Sequence, residues 1–272
     1  MSALPPIISA QERLREPRGA RVLLLGSSGV GKTWQLRTLP APSSLFVDIE
    51  AGGLSVQDVP VDTLRIADWS QGQDFACRIA GPNPSYPPTA AYSQAHFDAI
   101  GGWLPNLERY RTFFIDSITA ASRLSFRHAE QLPEAVSERS GRRDIRATYG
   151  LHAQQMLAWL NHLQHAQGVN VVFAGILERV VDDLNFVTWQ LQCEGNKTSR
   201  ELPGIVDEII TLEFLNFGDD QPPMRGFVCT SPNPWGFPAK DRSGRLEQIE
   251  PPDLGKLLTK LTINRANIGE RT

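Results

Sequence analysis

The chain has 272 residues, 41% hydrophobic and 21% charged, with a formal net charge of -3. This length suits one large α/β domain with small additions, and the composition is that of a soluble globular protein. The charge excludes a globally basic, histone-like mode of nucleic-acid binding, so any DNA contact must come from a local patch. Residues 1–20, rich in Pro and Arg, read as a partly flexible arm, with no apolar core long enough for a signal peptide. RVLLLG is a strand, followed by a glycine loop and then KTWQLRTL, which is predicted to be a helix. SLFVDIE is a second strand, and the loop-rich region after it holds the short apolar segment TLRIAD. Residues 81–88 carry four prolines and form a surface loop. HFDAIGGWLPNLERY has helical spacing, RTFFIDS is the next strand, and residues 119–148 are polar and charge-dense. Tyr149, His152, Met156, Leu160 and Leu163 recur at helical intervals, which predicts an amphipathic helix over residues 145–167. GVNVVFAGIL is a buried strand, RVVDDLNFVTWQLQ alternates like a hairpin, and EIITLEFLNF and MRGFVCTS form a second hairpin. A short helix and tail complete the chain, and no internal repeat is found.

Near-continuous apolar strands that alternate with helices imply a parallel sheet covered on both faces. The expected fold is therefore α/β, a mainly parallel sheet flanked by helices, with antiparallel hairpin strands toward the C-terminus. Its parts are an arm (1–20), a core (21–250) and a C-terminal helix with tail (251–272). Cys77, Cys193 and Cys229 are odd in number and scattered, which argues against a disulfide framework or structural zinc and for a reducing cytosol. No apolar run reaches 18 residues, so no membrane span is expected.

GSSGVGKT, residues 26–33, fits G-x-x-x-x-G-K-[ST] and lies between a strand and an expected helix. Backbone N–H groups across Gly26, Ser27, Ser28, Gly29, Val30 and Gly31 would cradle phosphates, with Trp34 following the motif. Lys32 would reach the β- and γ-phosphates of ATP, and the Thr33 hydroxyl would ligate Mg²⁺. RTFFIDS supplies Asp116 for the same ion and Ser117 for the γ-phosphate, although Asp116 is also placed to cap a helix. The residue after Asp116 is serine, so the group that activates water must come from elsewhere. Ligands gather at the carboxyl ends of parallel strands, and Glu50 closes the strand after the loop. Glu50 is the candidate base, against the alternative of a solvated loop carboxylate, while Asp48 is given no role.

These residues in this order resemble the RecA superfamily: a P-loop, a strand ending in Asp-x-Glu, then a hydrophobic strand ending in Asp-Ser. More narrowly, the chain is similar to phage-encoded RecA-core single-strand annealing ATPases, with AKDRSGRL as their late Lys-Asp-Arg-x-Gly motif. The resemblance covers about residues 20–250. It implies a RecA-like P-loop core, ATP hydrolysis stimulated by DNA, and Lys240 and Arg242 acting in trans on a neighbour's nucleotide. The alternative for these two residues is a proline-rich solvent turn with incidental charges. The implied partners are single-stranded DNA, other copies of the chain in a ring or filament, and a single-stranded DNA-binding protein. The implied setting is the host cytoplasm. One departure is VVFAGILER, where Gly175 and Ile176 replace the polar sensor that ends this strand in the family.

By the same resemblance, DNA would be gripped by two intervals. The first holds Arg139, Arg142, Arg143 and Arg146, and the second holds Phe186, Trp189, Lys197 and Arg200. A solvated charged loop and simple hairpin packing are the alternatives. His162 and His165 read as a polar helix face, and Trp34, Trp103 and Trp159 as core or subunit contacts. Competing functions are a motor or loader acting on a protein partner, a small-molecule phosphotransferase, and a nucleotide-gated scaffold.

Overall fold

The structure, a computed structural model, describes residues 7–16, 18–137, 141–218 and 222–262. A short helix, α1 (Ala10–Arg15), closed by a reciprocal Ser9–Glu12 capping box, precedes the sheet and buries none of its side chains. The core then runs β1 (Arg21–Gly26), β2 (Ser44–Asp48), β3 (Asp62–Arg65), α2 (Trp69–Ala80), α3 (Gln94–Ala99), β4 (Thr112–Asp116), α4 (Ile118–Gln131) and α5 (Ile145–Gln164). It continues through β5 (Asn170–Val181), β6 (Val187–Leu191), α6 (Asn196–Ile205), β7 (Glu208–Leu215), β8 (Met224–Val228), β9 (Lys240–Asp241), β10 (Ile249–Glu250) and α7 (Leu254–Thr262).

The strands join one sheet in the order β10-β8-β7-β1-β5-β4-β2-β3, with β6 on β5 and β9 on β7. From β7 across to β3 every pairing is parallel. The pairings of β6, β8, β9 and β10 are antiparallel. This is the expected α/β architecture, a mainly parallel sheet flanked by helices and extended by antiparallel strands late in the chain. A single strand, β5, separates the P-loop strand from β4.

Successive side chains of a strand point to opposite faces, so each apolar strand feeds two cores. Leu23, Leu25, Phe113, Ile115, Val171 and Phe173 face Trp69 and Phe75 of α2 and Met156, Trp159 and Leu160 of α5. Val22, Leu24, Phe114 and Val172 face Leu36, Leu39 and the Leu254, Leu257, Leu258 and Leu261 stripe of α7.

Several elements differ from expectation. KTWQLRTL is a 3-10 segment, Thr33–Thr38, rather than an α-helix. Pro40 disfavours helical backbone at Leu39, which is extended. α7 docks on this segment, with the Leu254 N–H donating to Gln35 Oε1 and the Gly255 N–H to Thr38 Oγ1, both at 3.1 Å. The helix expected over residues 96–110 stops at Ala99, because Gly101 and Gly102 adopt φ of +86° and +78°. α2, α4 and α6 arise in stretches read as loop-rich, charge-dense or DNA-contacting. The buried face of α4 is built from Ala120, Ala121, Ser122 and Ser125, too small to give an apolar period, and α6 contains Pro203. His162 is not on a polar face: it is buried and stacked on Tyr92 at 4.2 Å, and burial pulls its pKa down to about 4.

Candidate nucleotide site

β1 delivers the glycine loop to the carboxyl edge of the sheet, and Gly29 and Gly31 turn it with φ of +79° and +102°. Lys32 is buried, and its ammonium donates to the Gly26 and Ser27 carbonyls at 2.8 and 2.9 Å. Burial lowers its pKa, while the carboxylates of Asp116, Glu50 and Glu213 push it back up. The Thr33 hydroxyl donates to Asp116 Oδ2 at 2.5 Å, joining loop and β4 directly. Burial raises the Asp116 pKa to about 6, with the Thr33 bond opposing and the Glu50 charge adding to the rise.

Asp48 and Asp116 end neighbouring strands in register. Both are buried, and Asp48 Oδ1 has no hydrogen-bond partner. A buried, unpartnered carboxylate oxygen beside a second buried carboxylate is costly unless a cation compensates. With the Thr33 hydroxyl these are hard oxygen donors, and they fit Mg²⁺. No cluster of three or more His, Cys, Asp or Glu side chains suited to a metal occurs among the described residues. Glu50 lies two residues beyond Asp48, exposed, with its charge felt at both Lys32 and Asp116. The capping role weighed for Asp116 belongs to Ser117, whose buried Oγ accepts the Ala120 N–H at 3.1 Å.

Two further residues meet the loop. Glu213 on β7 accepts the Ser27 N–H at 2.5 Å. Arg225 on β8 donates to the Val30 carbonyl at 3.3 Å, and its guanidinium lies 5.2 Å from the Trp34 ring centroid. Sequence separations of 186 and 195 residues hid both, and no motif marks them.

Lys240 and Arg242 lie at the opposite, amino edge. β9, which contains Lys240 and ends just before Arg242, pairs with the start of β7, which is beside Val22 rather than Gly26. Lys240 donates to the Pro203 and Val206 carbonyls at 2.6 and 2.8 Å, and Arg242 to Asp207 Oδ1 at 3.1 Å. Within the chain they cap the end of α6, where cations suit the helix dipole. Midway along β5, Gly175 is pressed against Leu191, whose methyl would meet a Cβ at 2.5 Å. β5 runs on to pair with β6.

Arg139 lies outside the described residues. Arg142 and Arg146 are exposed, and Arg143 pairs with Glu130 at 3.1 Å. Lys197 and Arg200 are exposed on the first turns of α6. α5 and α6 run back from the carboxyl edge to feed the parallel strands β5 and β7, so both begin at the P-loop edge. Tyr149 on α5 lines the same cleft as Lys197. Phe186 is 65% exposed, whereas Trp189 packs on Phe237. Trp159 is buried in the core, and Trp34 and Trp103 are exposed.

None of the curated proteins matches the chain. Among solved structures, a RadB recombinase is similar at 15% identity, covering 78% of this chain and 81% of its own, with a TM-score of 0.36. A KaiC-like protein from Pyrococcus horikoshii is similar at 16% identity, covering 78% and 79%, with a TM-score of 0.33. The flagellar accessory protein FlaH from Methanocaldococcus jannaschii is 10% identical, covering 80% and 81%, with a TM-score of 0.32. The AAA domain family matches residues 18–243, a span that includes the loop, both strand-end aspartates and the late motif as far as Ser243. The chain belongs to that family of P-loop proteins.

Proposed function

We propose that the chain is a phage-type, RecA-like ATPase that binds Mg-ATP and single-stranded DNA and promotes strand annealing or homologous recombination as an oligomer. One observation carries the nucleotide part: Lys32, Thr33, Asp48 and Asp116, from three elements, converge with Glu50 at one edge of the sheet. The Lys32 ammonium exchanges the Gly26 and Ser27 carbonyls for β- and γ-phosphate oxygens. Thr33 and Asp116 would hold magnesium, with Asp48 in register beside Asp116, and the ion when bound would neutralise phosphate charge. Glu50 orients the attacking water and takes its proton. Lys240 and Arg242, remote from their own loop, act on a neighbour's nucleotide.

The DNA part is supported by the shared edge from which α5 and α6 start, which puts Arg142, Arg143, Arg146, Lys197 and Arg200 on the side of the nucleotide. Arg139 belongs to the same grip by sequence, and a single-stranded DNA-binding protein is a further partner. A second reading, a motor, loader or nucleotide-gated scaffold for a protein partner, is favoured by the apolar tip of the β5–β6 hairpin. Leu184 and Phe186 there are 75% and 65% exposed.

ATP turnover measured with and without single-stranded DNA at low salt tests the proposal. The wild type is expected to turn over slowly alone and faster with DNA. Glu50→Gln is expected to keep ATP binding and lose about 10²–10⁴-fold in turnover, the usual scale of general-base loss. Turnover indifferent to DNA would remove the DNA part, and normal hydrolysis by Glu50→Gln would remove the base.

A further inference from the structure

Most arginines around the sheet are committed. Arg37, Arg109, Arg143 and Arg242 pair with carboxylates. Arg21 is enclosed by the carbonyls of Gly19, Leu163, Gln164, Ala166 and Val169. Arg225 differs. Of its five donors, one makes a single 3.3 Å bond to a neutral carbonyl, that of Val30 in the phosphate loop. No carboxylate lies within 4.0 Å of it among the described residues. Glu213, on the paired strand β7, gives its carboxylate to the Ser27 N–H instead.

The guanidinium is nevertheless held in place. Its cation–π contact with Trp34, at 5.2 Å, fixes it beside the residue that follows Thr33. Gly31 lets it approach, since a Cβ there would meet Arg225 Nη1 at 2.6 Å. The result is a part-buried cation with unused donors, over an indole that is 39% exposed, against the Val30–Gly31 side of the phosphate loop.

Resting on the nucleotide-binding reading, we infer that Arg225 is a second phosphate-binding cation of this site. It acts from the same subunit and exchanges the Val30 carbonyl for an oxygen of the nucleotide's phosphate chain while Trp34 orients it. Lys32 and Arg225 then approach the chain from different elements, β1 with its loop and β8.

The test measures binding of Mg-ATP, Mg-ADP and AMP by calorimetry to the full chain as wild type, Arg225→Met, Arg225→Lys and Lys32→Ala, with the nucleotide-free melting temperature of each. Arg225→Met is expected to weaken Mg-ATP binding about 10–100-fold, the scale of one hydrogen bond to a charged group. Arg225→Lys should recover part of that loss, the penalty should shrink from ATP to AMP, and the nucleotide-free melting temperature should be unchanged. Arg225→Met binding Mg-ATP like wild type, while Lys32→Ala binds poorly, would overturn the inference and leave the P-loop reading intact. Equal weakening by Met and Lys for all three ligands, with a lowered melting temperature, would make Arg225 a structural brace and also overturn it. Unchanged binding by Lys32→Ala would remove the nucleotide reading itself.

Discussion

Glu208 begins β7 and is 2% exposed, at the amino edge beside Asp241. Burial pushes its pKa up to about 7, the Asp241 charge and hydrogen bond add to the rise, and the Ser243 and Arg242 N–H groups oppose it. Below pH 4.5 the carboxyl is protonated in the folded and unfolded chains alike. As pH rises toward 7 the unfolded carboxyl ionises freely while the folded one resists, so stability falls across that window and levels off above it. Glu208→Gln remains neutral and keeps an acceptor for one N–H. It is expected to match wild type near pH 4.5 and to be more stable at pH 8, by on the order of 1–3 kcal/mol. Thermal unfolding at both pH values checks this, and an advantage independent of pH would reject it. Residues of this kind divide by how they announce themselves. Lys32, Thr33 and Asp116 were legible because the loop motif and an apolar strand ending in aspartate require them. Glu208, Glu213 and Arg225 were not, because each owes its environment to a strand neighbour far away in sequence. Asp48 lies between the two cases: its period-2 relation to Glu50 was readable, but its unpartnered oxygen depends on register with Asp116.

Strands were the more legible elements, because buried parallel strands are continuous apolar runs closed by turn residues. Helices were harder wherever their buried faces use small residues, as in α4, or include a proline, as in α6. The segment after Thr33 shows how distant packing decides local structure. It forms a 3-10 turn, and α7 covers the same face of the sheet, more than 200 residues later in the chain. That docking needs Gly255, where a Cβ would lie 2.0 Å from the Thr38 carbonyl oxygen. Alanine is normally preferred to glycine in a helix by about 1 kcal/mol. Gly255→Ala should nonetheless destabilise, by about 1–3 kcal/mol, because backbone must shift to relieve the clash. It should also weaken ATP binding, since Thr38 lies on the segment that carries Thr33. A melting temperature equal to or above wild type would show that α7 does not brace the loop.

At the scale of the molecule, a net charge of -3 repels nucleic acid, so the proposed DNA binding depends on one local face. Arg146 is one helical turn from Tyr149, which lines a cleft with Lys197, so residues from two distant intervals meet where α5 and α6 start. Neither Arg146 nor Lys197 takes part in the contacts of Lys32, Thr33 or Asp116. The double variant Arg146→Ala/Lys197→Ala should therefore leave DNA-free ATP turnover unchanged and weaken single-stranded DNA binding. The salt dependence carries the decision. Each lost phosphate contact lowers the slope of log affinity against log salt by about 0.7 for a single strand, so two contacts lower it by about 1.4. Fluorescence anisotropy of a labelled oligonucleotide over a salt series measures that slope. An unaltered slope would clear this face of phosphate contacts and favour the protein-partner reading, in which the exposed Leu184 and Phe186 of the β5–β6 hairpin make the contact instead.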